Sequence, residues 1–303
     1  MKMKPSNYAI AILITLVTSF FVVLISAIRI ALPKDISTIE VVFYMNIITA
    51  ITFLLYSAIR KQKIVYYNYK LTLLRGIMGF LGIYLFFVAY QMSLSLSAGI
   101  VIVQLTPIFA AFGVVLILKE KSIKGQKIVL PLTMLLSFVG VVIIANPFGR
   151  TPQNIIAVLV AVSASIISGL SMVFIRKLMA TEKAEFLGLF NSIVSIVIGL
   201  VVLLVTGGFK ALEMKSYLLL FTMGIINALV AFGIASAAYF ASPTKTGPFT
   251  YSSVIFAPIM QFIFFGSLIT NNVMIGAIII VGINVFNFLY TNKNYHKEIK
   301  NNE

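Results

Sequence analysis

The sequence predicts an all-α membrane protein, with ten transmembrane helices arranged as two inverted five-helix repeats. Three observations lead there: apolar runs long enough to cross a bilayer, basic residues gathered on one set of loops, and a second half that repeats landmarks of the first. The runs are plainest between Leu71 and Lys121. Two apolar segments, 71–91 and 97–118, are joined there by the polar hinge Met92-Ser93-Leu94-Ser95-Leu96-Ser97. Each is near the ~20 residues needed to span the hydrocarbon core. Of the 303 residues, 60% are hydrophobic and only 10% charged. Soluble chains carry about 25% charged residues, so no water-facing surface can be built from this composition.

In chain order the apolar segments fall at 8–28, 39–59, 71–91, 97–118, 128–145, 155–175, 186–206, 217–240, 249–268 and 273–290. They lack the period-2 alternation of a lipid-facing strand, so they are helices. The first follows Lys2, Lys4 and Pro5 with no small-residue cleavage site, which makes it a retained span rather than a signal peptide. Glu40 and Asn46 open the second. The third holds Arg75 with Gly76, Gly79 and Gly82, residues that let helices approach closely. Pro107 interrupts the fourth, which runs into Lys119-Glu120-Lys121. The fifth and sixth are short-linked apolar runs, and Glu185 and Asn191 open the seventh. Gly224, Ala228 and Ala231 give the eighth the same small-residue character as the third. The ninth follows the hinge Ser242-Pro243-Thr244-Lys245-Thr246-Gly247-Pro248 and holds Pro258, and the tenth leads into a polar tail.

Charge sets the orientation. Of the 23 Lys and Arg residues, only Arg29, Lys34, Arg150, Lys210 and Lys215 fall on the odd-numbered loops, and Arg75 lies inside a span. All the others share the loops and tails on the N-terminal side, which the positive-inside rule places in the cytoplasm. That rule also explains the net charge of +15 without invoking nucleic acid. Landmarks recur at an offset near half the chain: Asn7 with Asn154, Glu40 with Glu185, Ala89-Tyr90 with Ala238-Tyr239, Pro107 with Pro258, and Gly125 with Gly276. Five spans per repeat is odd, so the halves, 1–146 and 155–303, must insert in opposite directions. That is the inverted-repeat plan of many secondary transporters.

The chain resembles the drug/metabolite transporter superfamily, of the ten-span EamA type. The resemblance rests on the repeats, on Leu74-Arg75-Gly76, on Thr106-Pro107-Ile108-Phe109 followed by Lys119-Glu120-Lys121, and on Ala257-Pro258-Ile259 with Gly276-Ala277 and Gly282. Two family features are missing. Asn271-Asn272 stand where a glutamate usually follows the ninth span, and Met45-Asn46 where an arginine usually sits early in the second. The resemblance implies spans one to four and six to nine around a central cavity, with five and ten peripheral.

Residues that carry chemistry are few. Zero Cys excludes disulfides and thiolate metal sites, and the one His, His296, lies in the tail. No metal site or cofactor is expected. There is no P-loop, no HExxH helix and no GxSxG elbow, so an enzyme is not expected either. The carboxylates Asp35, Glu40, Glu120, Glu182, Glu185, Glu213, Glu298 and Glu303 all lie at span ends, loops or the tail. A buried carboxylate is what a proton-driven cation exporter commonly uses, so neutral or zwitterionic cargo is favoured. Arg29 with Glu40, and Arg176 with Glu185, recur in register and are open to two interpretations: charge pairs at opposite mouths of a cavity, or four side chains snorkelling to water. Arg75, about one helical turn inside a span, either holds an anionic group, partners Glu185, or snorkels.

Asn and Gln are costly in hydrocarbon and must point inward. Gln104 lies three residues from Pro107 and Gln261 three from Pro258, and a proline kink exposes carbonyls beside each amide. The candidate cargo-binding residues are therefore Gln104, Gln261, Tyr84, Asn227, Tyr251, Ser165 and Arg75. Tyr90 is expected in an interfacial belt, since Trp is 0. The function expected is a secondary transporter of small organic metabolites, amino acids or related solutes, exporting or exchanging them across a bacterial inner membrane by alternating access. Uptake of S-adenosylmethionine or a similar metabolite stays open, as does a non-transporting scaffold or sensor. The partners expected are a small-molecule substrate and the lipid bilayer. A homodimer is allowed, and no residue decides it.

Overall fold

The computed structural model of the protein describes residues 5–61, 64–117, 126–146, 153–178, 181–209, 211–240 and 249–302. Those residues fold into helices: α1 (Pro5–Ala31), α2 (Thr38–Ile59), α3 (Tyr69–Gln91), α4 (Leu96–Val103), α5 (Thr106–Ile117), α6 (Gln126–Ala145), α7 (Ile155–Leu178), α8 (Ala184–Thr206), α9 (Met214–Phe240), α10 (Ser253–Phe265) and α11 (Asn271–Asn302). Six of them, α1, α2, α3, α7, α8 and α9, hold stretches long and apolar enough to cross a membrane. Shorter apolar stretches cover 96–110, 131–145, 253–265 and 271–287. A helix suits hydrocarbon because it satisfies its own N–H and C=O groups.

The surface confirms the solvent. Leu135, Val205, Ile263 and Ile278 are each more than 60% exposed, whereas Thr15, Asn46, Thr49, Gln104 and Ser165 are buried. Large apolar side chains cover the exterior, while these polar ones are buried within a core that is itself mainly apolar, whereas a soluble bundle turns its polar side chains to water.

Local chemistry ends the helices where the loops begin. Ser37 and Glu40 form a reciprocal capping box at the start of α2. Asn68 and Ser95 accept from the first turns of α3 and α4. Gly207 and Gly266 close α8 and α10 in the left-handed conformation, which glycine adopts without a Cβ penalty.

The expected single fourth span is broken in two. Helix α4 stops at Val103, a turn at Gln104–Leu105 follows, and α5 restarts at Thr106. Pro107 causes this: its ring would clash with the carbonyl four residues back, which is Val103. In the first turn of α5 its missing N–H costs nothing. Pro258 behaves differently and sits inside a continuous α10, with a turn at Tyr251–Ser252 just before that helix. Helix α11 also differs from expectation, because its backbone stays helical beyond the apolar stretch and through the polar tail.

The helices pack mainly across the two halves. The α3–α7 contact is matched by α9–α1, the α2–α9 contact by α8–α3, and α2–α8, α6–α11 and α4–α10 each join counterparts. Asn154, just before α7, donates to the Met92 carbonyl just after α3, while Glu182, just after α7, accepts from backbone just before α3. Helices α3 and α7 therefore run antiparallel. One end of the bundle carries the α1–α2 and α3–α4 connections, and the opposite end carries the α2–α3 and α7–α8 connections.

Close approach depends on glycine at specific contacts. A Cβ on Gly169 of α7 would lie 2.8 Å from the Thr106 carbonyl oxygen and 2.9 Å from the Ala110 nitrogen of α5. Both are backbone atoms and cannot rotate away. Gly169→Ala is expected to destabilise the protein by about 1–3 kcal/mol, as overpacking does. Gly282→Ala, whose Cβ would meet nothing within 4 Å, is the control and should leave thermal unfolding in detergent unchanged.

Candidate functional site

The buried polar side chains gather at three places. The first is the crossing of α4 and α10, where both half-chains have a turn. Gln104, in the turn that follows Val103, is buried and donates through Nε2 to Ser253 Oγ at 2.7 Å. Ser253 in turn donates to the Thr250 carbonyl at 3.0 Å. Tyr251 is buried in the turn leading into α10. Ser165 of α7 reaches the same broken helix and donates to the Ile102 carbonyl at 3.1 Å.

The second place is the end that carries the α1–α2 connection. A pocket of about 290 Å³ opens there, lined by Arg29, Lys34, Tyr90, Gln91, Ser95 and Gln261 among others. Arg29, near the last turn of α1, is only 2% exposed. Its Nη2 donates to Thr38 Oγ1 at 3.0 Å, and Thr38 donates on to Gln91 Oε1. Gln91 donates to the Lys34 carbonyl at 3.2 Å, and Lys34 Nζ reaches Ser93 Oγ at 3.1 Å. Ser93 holds a left-handed backbone, φ 69°, and the α3–α4 connection lines the pocket through Ser93, Leu94 and Ser95. Gln261 accepts from the Ser97 N–H at 2.9 Å, which caps α4 from the other half of the chain. Glu40 is buried and accepts from Ser37 through both the backbone N–H and the hydroxyl.

The third place is the opposite end. Glu182 is buried and accepts from the Tyr67 and Asn68 N–H groups at 2.7 and 2.9 Å. These donors lead into α3, where a helix start favours negative charge. Tyr66 donates to the Phe186 carbonyl at 3.0 Å and lies edge-on to Phe190. Arg75 donates to the Leu187 carbonyl at 3.1 Å while its Nε has no partner. Four bonds from one half to the other thus meet around the start of α8.

The expected cargo residues do not form one cluster. Gln104, Tyr251 and Ser165 belong to the α4–α10 crossing, Gln261 to the pocket, and Arg75 to the far end. Asn227 of α9 donates to Thr49 of α2 at 3.2 Å, and Tyr84 stacks on Phe80 one turn back in α3. The expected belt position of Tyr90 is corrected. It is 4% exposed, packed where a Cβ on Gly99 would stand, and forms a pocket wall. The assignments to Arg176 and Glu185 fall on side chains outside the described residues. Sequence reasoning missed Gln91, Lys34 and Ser93, which only a folded loop brings to Arg29. It also missed the cap made by Glu182. A signal existed for Glu182, since it stands three residues before Glu185, as Ser37, the N-cap residue of α2, stands three before Glu40.

An apolar exterior, long apolar helices and polar groups buried within the core define a multi-pass membrane protein, with a pocket at one end. Known proteins give that class its family. The EamA-like transporter family matches twice, over residues 9–146 and 155–288, and the chain belongs to that family, one of small-solute transporters rather than enzymes. No curated protein matches the sequence. A solved crystal structure 14% identical to the chain, covering 96% of it and 99% of its own length, superposes with a TM-score of 0.63. At that identity the likeness is one of fold.

The Tyr66 contact carries a pH dependence. Burial, reinforced by the nearby Glu182 carboxylate, pushes the Tyr66 hydroxyl from its ordinary 10 up to about 12. The neutral phenol is the form the folded state favours, so its contribution is complete below pH 10 and is lost as pH rises through 12. Tyr66→Phe is expected to cost about 1 kcal/mol at pH 7 and to flatten the loss of stability between pH 10 and 12. Thermal unfolding across that range measures both effects.

Proposed function

We propose that the protein is a secondary transporter of small organic metabolites, amino acids or related solutes, that works by alternating access across a bacterial cytoplasmic membrane. The observation that carries the reading is the exchange symmetry of the helix contacts: α3–α7 against α9–α1, and α2–α9 against α8–α3. Together with the antiparallel course of α3 and α7, it supports two five-span halves, 1–146 and 155–303, inserted in opposite directions. The four shorter apolar stretches then complete ten spans. Two halves related in this way expose a site between them to one side or the other by rocking.

The α4–α10 crossing is where such a site belongs. Each half contributes an interrupted helix there, and irregular backbone at membrane depth is tolerated where it lines a cavity or is buried in protein. Gln104 joins Ser253 across the halves, so the bond is broken and remade if the halves separate. At the far end Glu182 and Tyr66 tie the α7–α8 connection and the start of α8 to the segment before α3. The basic loops at that end favour a cytoplasmic location for it and for both termini, with the pocket opening to the outer face. The absence of a carboxylate at mid-span favours exchange or export of neutral or zwitterionic cargo. An S-adenosylmethionine-like cargo has no such group to meet its sulfonium.

Proteoliposomes loaded with unlabelled solute and assayed with labelled amino acids, nucleosides, polyamines and S-adenosylmethionine test the reading. Saturable flux of one class, stimulated by trapped solute, is expected without a proton gradient. Gln104→Leu should lower it roughly tenfold, the effect of leaving a buried partner unsatisfied by 1–3 kcal/mol. Silence from folded protein across the panel would favour a scaffold. Because the chain has no Cys, single cysteines report topology cleanly. One at Asp35 should react with an impermeant maleimide from outside, and one at Arg60 should not.

A further inference from the structure

We propose that the outer pocket is a binding site for the carboxylate of a small organic acid or amino acid, with the Arg29 guanidinium as its counter-charge. This rests on the transporter reading above and adds the chemical class of the solute and the residue that recognises it.

Burial makes the argument. Taking a guanidinium out of water costs several kcal/mol unless charge and hydrogen bonds replace the lost hydration. Arg29 is 2% exposed, its Nη2 meets only a neutral hydroxyl, and its Nε has no partner. None of the residues lining the pocket is a carboxylate, and the second charged one among them is Lys34. Arg29, in the last turn of α1, and Lys34, in the loop that follows, also stand at the end of the bundle where the distribution of charge disfavours basic residues, so neither serves as a cytoplasmic anchor. An incoming carboxylate supplies the missing charge, and the planar fork of Arg matches its two oxygens.

Size and neighbours narrow the ligand. A pocket of 290 Å³ is at the small end of ligand sites and holds the equivalent of about ten waters at ~30 Å³ each. That suits an amino acid or short organic acid. Ser93, Ser95, Ser267, Gln91 and Gln261 line the walls, and their oxygens are acceptors for an ammonium or hydroxyl on the same solute. The apolar wall is Leu94, Leu96 and Phe265, which leaves room for a modest hydrocarbon side chain. The Thr38 hydroxyl fixes the guanidinium. It accepts from Arg29 and donates to Gln91, so the charge is positioned before the ligand arrives.

Isothermal titration of the purified protein in detergent tests the site apart from transport. The probes are amino acids and short carboxylic acids, the matching primary amides, spermidine and inorganic phosphate. At least one acid is expected to bind roughly tenfold or more tightly than its amide. Arg29→Gln should erase that preference and Arg29→Lys should keep part of it. Lys34→Gln, at the exposed rim where folding is not at stake, should weaken the acid about two- to threefold and lessen its salt dependence. Equal binding of acid and amide, retention of the preference in Arg29→Gln, or binding of phosphate or spermidine with every acid silent would overturn the proposal. So would silence across the whole panel from protein that still unfolds cooperatively. Acid binding without flux in proteoliposomes leaves this site standing and overturns the transporter reading. Flux of neutral solutes without acid binding does the reverse.

Discussion

The structure depends on one constraint, that a polar group placed in hydrocarbon must find its partner inside the protein. Most mid-span hydroxyls meet it locally. Thr15, Thr18, Thr49, Ser163 and Ser195 each donate to the carbonyl four residues back in their own helix. Some amides and a few hydroxyls reach further, and four of those long bonds join the halves: Gln104 to Ser253, Asn227 to Thr49, Gln261 to Ser97, and Ser165 to Ile102. Each is worth about 1 kcal/mol in a membrane, too little to lock the halves and enough to set their register. Steric fit supplies the rest, through glycines at which one helix backbone touches the next.

The three polar places differ in what satisfies them. At the α4–α10 crossing the partners are neutral and mutual. At the far end a carboxylate meets backbone N–H groups at a helix start, where the peptide dipoles already favour negative charge. In the pocket a cation meets mainly hydroxyl and amide oxygens, and so has capacity left over. The difference follows from the loops. The α7–α8 connection places Glu182 beside the start of α3, whereas the corresponding position before α2 is Ser37, whose hydroxyl is used within its own helix.

Much of the fold was legible in the sequence because membrane helices announce themselves by length and polarity alone. The two family matches fall on the two halves marked by Glu40 with Glu185 and Pro107 with Pro258. Less legible was where a proline acts. Pro107 and Pro258 occupy matching places, yet one breaks its span and the other lies in a continuous helix, because the outcome depends on the residues before it and their packing. The site was legible by residue type only. Gln104 and Gln261 stood out as amides in apolar runs, but nothing local revealed that one faces Ser253 and the other caps α4. Tyr90 misled for a related reason: a tyrosine at a span end has the same signature whether it faces headgroups or a pocket.

Helix α11 has a practical consequence. At 1.5 Å per residue its 32 residues measure about 48 Å, against about 30 Å for the hydrocarbon core. About a third of its length therefore exceeds the hydrocarbon core, as a helical continuation of a span. A membrane protein of 33.3 kDa buried in a micelle offers an electron microscope almost no outline by which to orient particles. A helical extension continuous with an embedded span is such an outline. A helical fusion partner joined in register at its end would inherit its direction and give each particle image a visible pointer.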